Sequence, residues 1–507
     1  MSRGAPHAQT YLLSRWVFLR LLGLTYLIAF GSLGSQILGL VGANGILPIA
    51  DYLPRVRDLY GWEAYRYFPT VLWLSADDWV LRALSWGGTA LAVLLIMGIA
   101  PRVVLWLLWA SYLSLAIGGQ AFLGFQWDVL LLETGLLACF FAPAGWWPTL
   151  ATEAPPARWA RWLLWWLLFR VMFLSGITKL ASGDPTWANL TALTYHYETQ
   201  PLPLWTGWYL HQLPAWLHRL SAAVMFVIEI GLPWLALVPG HWRRTRMVGC
   251  AGLVLLQLAI GGTGNYGFFT LLSIALCLAM LDDGVWARLF PYTLSEHARI
   301  VARPSSHTSS WRSTAGALVA MMLFLLGGLT FTREIVGTLE RSGRASVDLT
   351  WSDPIVDWVD PFRSVNGYGL FRVMTRERPE IVLEASQDGQ TWREWPQRWK
   401  PGPPDRRPEL VAPHQPRLDW QLWFAALGPR DAEYWLTRWM ERLLEADPRV
   451  TALTGPSPFG DQPPRLLRLA YYDYRFTTAE ERAANGDWWH RERLQDLTGP
   501  VSLDTAR

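Results

Sequence analysis

The sequence predicts an α-helical polytopic membrane bundle of about nine transmembrane helices, followed by a soluble α+β domain with an antiparallel sheet. Composition is the first sign: 507 residues with 51% hydrophobic content and a mean hydropathy of +0.15 are too apolar for a water-soluble chain of that length. Distribution is the second. Runs of Leu, Val, Ala, Phe and Trp recur from Trp16 to Phe331, whereas beyond Thr332 charge and proline are spread as in a soluble domain. The third is a set of strand and turn signals confined to that later part. Together they divide the chain into a multi-pass domain, 1–332, with outer loops at 41–78 and 182–219, and a soluble domain, 333–507.

A helix crossing the hydrocarbon layer needs about twenty apolar residues. The runs that approach this are Trp16 to Leu40, Trp79 to Ala100, Val103 to Gly118, Trp127 to Phe141, Trp159 to Ala181, Leu220 to Val238, Met247 to Gly262, Tyr266 to Leu281 and Ala315 to Phe331. The third, fourth, seventh and eighth are short. The first lacks a small-residue cleavage site and reads as a retained anchor. Trp79, Trp127, Trp146, Trp147 and Trp159 stand at the ends of runs, where an indole prefers the headgroup layer.

Sidedness follows from the connectors. Arg102, Arg158, Arg161, Arg243, Arg244, Arg246, Arg288, Arg299, Arg303 and Arg312 fall in alternate ones, and short basic connectors belong in the cytoplasm. The opposite connectors, Gly118 to Gln126 and Thr263 to Asn265, carry no Lys or Arg, and Ser182 to Arg219 carries only its last residue. An odd number of crossings from a cytoplasmic amino terminus then puts the soluble domain outside the cytoplasm. The loop holding Arg55, Arg57 and Arg66 departs from the pattern. Within it Leu53, Val56, Leu59, Trp62 and Tyr65 recur at helical spacing, so Leu47 to Leu74 reads as an amphipathic segment along the outer membrane surface.

In the soluble domain Glu380 to Ser386 alternates, Asp388-Gly389 supplies a turn and Thr391 to Trp395 returns, a hairpin signature. Arg465 to Phe476 reads as a further strand and Asp431 to Ala446 as a helix. Ser295 to Ser313 and Lys400 to Pro416 read as irregular linkers.

Several function classes are excluded. A net charge of +3 offers no broad basic surface, so no nucleic acid partner is expected. Cys139, Cys250 and Cys277 all lie in apolar runs, leaving no disulfide framework or thiol pair in the soluble domain. Gly261 to Gly267 (GGTGNYG) lacks the Lys-Ser/Thr of a phosphate cradle and reads as a helix-helix turn. No GxSxG occurs, so the chain is not itself an α/β-hydrolase lipase. Asp184, His196, Glu198, His211 and His218 match no zinc spacing, and neither metal nor cofactor is expected.

Ionisable groups inside the spans carry more information, since each costs about 2.5–3.5 kcal/mol unless paired or wetted. They are Arg20, Asp128, Glu133, Arg170, Lys179 and Glu229. Glu133 with Arg170, and Asp128 with Lys179, sit at matching depths and are expected to pair. Two readings stay open: structural bridges between helices, or a functional pocket. The pocket reading is a polytopic enzyme at the outer membrane surface, built from Lys179, His196, Glu198 and Asp128 and acting on a lipid, a quinone or an exported polypeptide. In the soluble domain Trp392, Trp395, Arg417 and Trp420 are candidate anchors for a protein client, and an unpaired sheet edge is another docking element.

The strings themselves point further. FLGFQWDVLLLETG (Phe122 to Gly135), FRVMFLSGITKLASGDPTW (Phe169 to Trp187), LTYHYETQPLP (Leu193 to Pro203), TGNYGFF (Thr263 to Phe269), VNGYGLFRVMT (Val365 to Thr375), APHQPRLDWQLWFAAL (Ala412 to Leu427) and YDYRFT (Tyr472 to Thr477) resemble, in order and extent, the lipase maturation factor family. The resemblance implies a membrane-anchored factor that helps secreted lipases reach their folded, active state through a non-cytoplasmic domain. Its partners would be membrane lipids and an exported client. Its site would be the endoplasmic reticulum membrane in a eukaryote and the plasma membrane in a bacterium.

Overall fold

The computed structural model describes residues 10–151, 153–238, 242–289 and 310–506. The expected linker at Ser295 to Ser313 lies, up to residue 309, outside the described residues. The first half is helical: α1 (Leu12–Gly34), α2 (Asp78–Met97), α3 (Pro101–Gly118), α4 (Gln126–Phe141), α5 (Arg158–Ala181), α6 (Ala215–Phe226), α7 (Arg243–Gly261), α8 (Phe269–Leu278) and α9 (Ser310–Arg341).

Seven stretches among the described residues are long and apolar enough to cross a membrane: α1, α2, α3, α5, Ala215–Ala236 (α6 and its continuation), α7 and the Thr314–Arg341 part of α9. Two of the nine expected spans are therefore missing from that set. At 16 and 10 residues, α4 and α8 are too short to meet that criterion, and most of their side chains are buried against protein. An apolar run looks the same in sequence whether its surroundings are lipid or neighbouring helices. The lipid-facing surface is carried instead by outward apolar side chains such as Trp86, Val93 and Met97 on α2 and Leu318, Met321 and Leu325 on α9. Helix α9 also runs unbroken past residue 332 to Arg341.

Helix α6 does not end cleanly. Pro233 has no N–H, and its ring crowds the carbonyl four residues earlier, that of Glu229. The chain passes there through a π turn, Val227–Gly231, and a tight 3-10 turn, Leu232–Ala236. That distortion sits where Glu229 is needed.

The later part contains β1 (Arg378–Ser386), β2 (Arg393–Trp395), β3 (Leu466–Phe476) and β4 (Trp489–Asp496) in the antiparallel order β2-β1-β3-β4. Leu383 pairs with Trp395 on one side and Leu469 on the other. The β1–β2 turn is closed by Asp388, whose Oδ1 accepts the Gln390 and Thr391 N–H groups at 2.8 and 2.7 Å, and by Gly389 at φ +75°. Helix α10 (Arg417–Leu427) packs on β1, and α11 (Pro429–Leu444) follows it. A capping box, Thr478 with Glu481, starts α12 (Ala479–Asn485).

One buried hydrophobic cluster runs from α1 through α3 and α4 into β1, α10 and α11. The bundle and the sheet region thus share a core. Trp127, expected at a membrane interface, is 4% exposed and packs against Trp420 with ring centroids 4.4 Å apart.

Candidate functional site

The seam between bundle and sheet is built from backbone carbonyls and buried charges. The outer loop YHYETQPLP turns out of the short helix Leu193–Thr199, and its carbonyls need donors once buried. Several of the donors come from the later part of the chain. Arg378 Nη1 donates to the carbonyls of Glu198, at 2.5 Å, and Gln200, and Arg378 Nη2 donates to that of Pro201 at 3.0 Å. Trp423 Nε1 donates to the Thr199 carbonyl at 2.9 Å. Glu380 neutralises Arg378 and Lys400 at 2.7 and 2.5 Å.

The carboxylates buried in the bundle are answered from both parts of the chain. Glu133 pairs with Arg170 on the next long helix, and its second oxygen accepts from Tyr368 Oη at 2.7 Å and from the Asn366 N–H at 3.0 Å. Asp128, in the first turn of α4, receives both arms of Arg417 at 2.7 and 2.8 Å and Tyr112 Oη at 2.6 Å. Burial opposes the Arg417 charge, but Asp128 and Tyr112 outweigh it and hold the guanidinium above its ordinary range. The expected Asp128–Lys179 pair is replaced by two others: Lys179 Nζ lies 2.8 and 3.1 Å from the oxygens of Glu229.

Asn265, in the α7–α8 turn, extends the seam. Its Nδ2 donates to the carbonyls of Leu202, Pro203 and Glu409 at 3.2, 3.3 and 2.9 Å, and its Oδ1 accepts from Val411 and Ala412 at 2.8 and 3.1 Å. The turn read from GGTGNYG thus also pins the proline-rich Lys400 to Pro416 stretch.

Between these layers lies a cavity of about 750 Å³. Its walls come from α5 (Met172, Ser175, Lys179), α6 and its π turn (Leu217, Ser221, Met225, Glu229) and α7 (Leu256, Gln257, Ile260). The outer loop adds His196, Tyr197 and Leu213, and the roof is formed by residues 369–373 with Trp420, Trp423 and Phe424. One chain of bonds fixes the His196 tautomer. Gln200 Nε2 donates to two carbonyls, so its Oε1 faces Tyr266 Oη, 2.9 Å away, as acceptor. Tyr266 therefore accepts from His196 Nε2 at 3.2 Å, which leaves Nδ1 an acceptor without a protein partner. Burial, with Lys179 adding to it, pushes the His196 pKa down to about 4, so the ring is neutral.

The four candidate catalytic groups occupy separate settings. Lys179 and His196 line the cavity. Glu198 turns the other way, accepting from the Phe476 N–H at 2.9 Å and lying 3.7 Å from His211 Nε2. Burial raises the Glu198 pKa to about 7, while burial and His218 lower that of His211 to about 4. Asp128 is sealed by Arg417 and Tyr112.

Of the candidate client anchors, Trp395, Arg417 and Trp420 are at most 3% exposed and so present no surface to a partner. Trp395 donates to the Gly455 carbonyl at 2.9 Å, and Arg417 and Trp420 belong to the seam. Trp392 is half-buried under the Arg468 guanidinium, 4.2 Å from its ring. Aromatic-rich composition does not separate a recognition surface from a core. Among the described residues no three His, Cys, Asp or Glu side chains are placed to hold a metal ion.

Sequence reasoning missed Tyr112, Asn265, Asn366, Tyr368 and Arg378 as partners. Several of these lie within strings already singled out as unusual, where a buried polar residue amid apolar and glycine neighbours was the available signal.

The comparisons follow the same seam. The chain matches the model of the lipase maturation factor transmembrane domain over residues 13–288 and that of the lipase maturation factor C-terminal domain over 364–499. It is 36% identical to human lipase maturation factor 2, covering 97% of this chain and 83% of that protein. It is 33% identical to lipase maturation factor 1 of Bos taurus, covering 100% and 92%. No solved structure matches it. A match running through both the helical region and the sheet domain makes the chain a member of the lipase maturation factor family.

Proposed function

We propose that this protein is a membrane-anchored maturation factor for exported proteins, lipases foremost, acting through a sheet domain held on the non-cytoplasmic face. The observation that carries this reading is full-length similarity to relatives named for lipase maturation, extending over both the bundle and the C-terminal domain.

Sidedness is supported by where the connectors gather. The Arg-free turns converge on the sheet domain: Arg363 donates to the Leu123 carbonyl, Asn265 binds Val411, and Arg378 binds the 198–201 carbonyls. The short basic ones gather at the opposite end, around the start of α1, whereas the longer loop with Arg55 and Arg66 lies against Tyr434 and Trp358 and remains the exception. There Arg15 pairs with Glu153, Arg102 donates to the Ala142 carbonyl, Arg243 pairs with Asp282, and Asp283 accepts the Leu12 and Leu13 N–H groups. Basic connectors belong in the cytoplasm, so the sheet domain faces away from it. A rigid platform fixed there by buried charges can meet a client as it emerges from translocation.

The test is co-expression with a secreted lipase in a host lacking any family member. Active lipase per unit of secreted lipase mass should rise several-fold with the intact chain. Equal specific activity with and without it contradicts the proposal.

A further inference from the structure

The 750 Å³ cavity lies within the range of pockets that enclose one small molecule, roughly 300–1,000 Å³. Its walls are mostly aliphatic and aromatic, with a few polar groups among them, the make-up of a site for a largely apolar ligand. It also borders the membrane. Leu217, Ser221 and Met225 face the cavity from α6, while Leu220, Val224 and Val227 on the same stretch are 51%, 48% and 66% exposed on its outer side. Trp205, Tyr209 and Trp216, all exposed, form an aromatic belt at the level of Leu213 and Leu217, where indole and phenol rings mark the headgroup layer.

Charge in the cavity wall is already matched. Lys179 is neutralised by Glu229, and Arg372 pairs with Glu334. Neither His196 nor His218 has a carboxylate partner among the described residues, and neutral His196 keeps an acceptor nitrogen unused. Gln257 Oε1 likewise lacks a protein donor, and His218 Nε2 has no protein partner. A charged head brought in here would have no counter-charge and would carry the full desolvation cost. A hydroxyl-bearing uncharged head brings the donors that these acceptors lack.

We infer that the cavity binds a single-chain lipid with an uncharged, hydroxylated head of the monoacylglycerol type, drawn from the leaflet on the side of the sheet domain. This goes beyond the maturation reading and stands or falls independently of finding a client. The chain sits among Leu217, Met225, Leu256 and Ile260. The head lies toward His196, Gln257 and the Lys179–Glu229 pair.

The experiment uses the full chain in lipid nanodiscs with a diazirine-bearing monooleoylglycerol, mapping adducts by peptide mass spectrometry. Adducts are expected on peptides holding Met225 and Leu256. Labelling should fall about tenfold in Ser221→Trp or Met225→Trp, which fill the cavity, and stay unchanged in Val224→Trp on the lipid-facing side. Unlabelled monooleoylglycerol should compete, and oleate at equal concentration should not. Equal labelling in the filled and lipid-face variants overturns the site, and equal competition by oleate overturns the uncharged head. Native mass spectrometry of the unmodified chain requires no variant to fold: one retained neutral-lipid adduct is expected, and only phospholipid or no adduct contradicts the inference.

Discussion

At Asp128 three donor groups from two distant parts of the chain meet one carboxylate, and both its oxygens are used. Removing the charge by Asp128→Asn strands Arg417 in a dry seam, a loss of about 3–5 kcal/mol by analogy with other broken buried pairs. Thermal unfolding of the purified chain should show it as a large drop in midpoint. The double variant Asp128→Leu/Arg417→Met should recover most of the loss, because no charge is then left unpaired. Glu198 and the histidines near it act through protonation. Glu198 titrates at about 7 against an ordinary 4.5, so the stability it contributes is complete below 4.5 and is lost as pH rises through 7. His196 and His211 titrate at about 4 against 6.5, so theirs is complete above 6.5 and is lost as pH falls through 4. The outer loop should therefore be most stable between those limits. Glu198→Gln should remove the alkaline loss, worth up to about 3 kcal/mol, and leave the acid loss intact, as read by unfolding temperature from pH 4 to 9. Which residues carry charge in the spans was legible from the sequence, and so was the match of Glu133 with Arg170. Arg417 was not read as the partner of Asp128, because nearly three hundred residues separate them and depth along a helix says nothing about a domain folded back onto it.

At the level of elements, the hairpin around Asp388-Gly389 and the helix and strand that follow were readable because turn chemistry and period are local properties. The interruption of α6 has a local cause as well, Pro233, although the pairing of Glu229 with Lys179 needed the structure. The two expected spans that fall short by length, α4 and α8, turn most of their side chains toward protein. The connectors held the largest surprise. Asn265 replaces with one side chain the backbone partners that two irregular segments would otherwise lack, so Asn265→Ala should free the Lys400 to Pro416 stretch. Limited proteolysis should then cut there at least several-fold faster, with the bundle intact. The short helix Ile37–Val41 makes a similar close contact: a Cβ on Gly39 would stand 2.4 Å from the Arg449 carbonyl oxygen. Gly39→Ala should cost about 1–3 kcal/mol through displacement of backbone, visible as a lowered unfolding midpoint.

Across the whole molecule, the bundle and the sheet domain complete each other. The bundle buries carboxylates that the later chain neutralises, and the outer loop offers carbonyls that Arg378 and Trp423 satisfy. The strings that carry the family resemblance are largely the ones that form this seam, which is why they stood out in the sequence while their purpose did not. An exported client can use this platform only if the sheet domain lies outside the cytoplasm. The native cysteines are buried, so an introduced thiol reports its own position. Glu480→Cys, exposed on α12, and Ala154→Cys, exposed at the opposite end, can each be treated with a membrane-impermeant maleimide in intact spheroplasts and after lysis. Labelling at 480 in intact spheroplasts, with labelling at 154 only after lysis, is the expected result; the reverse pattern would contradict the account.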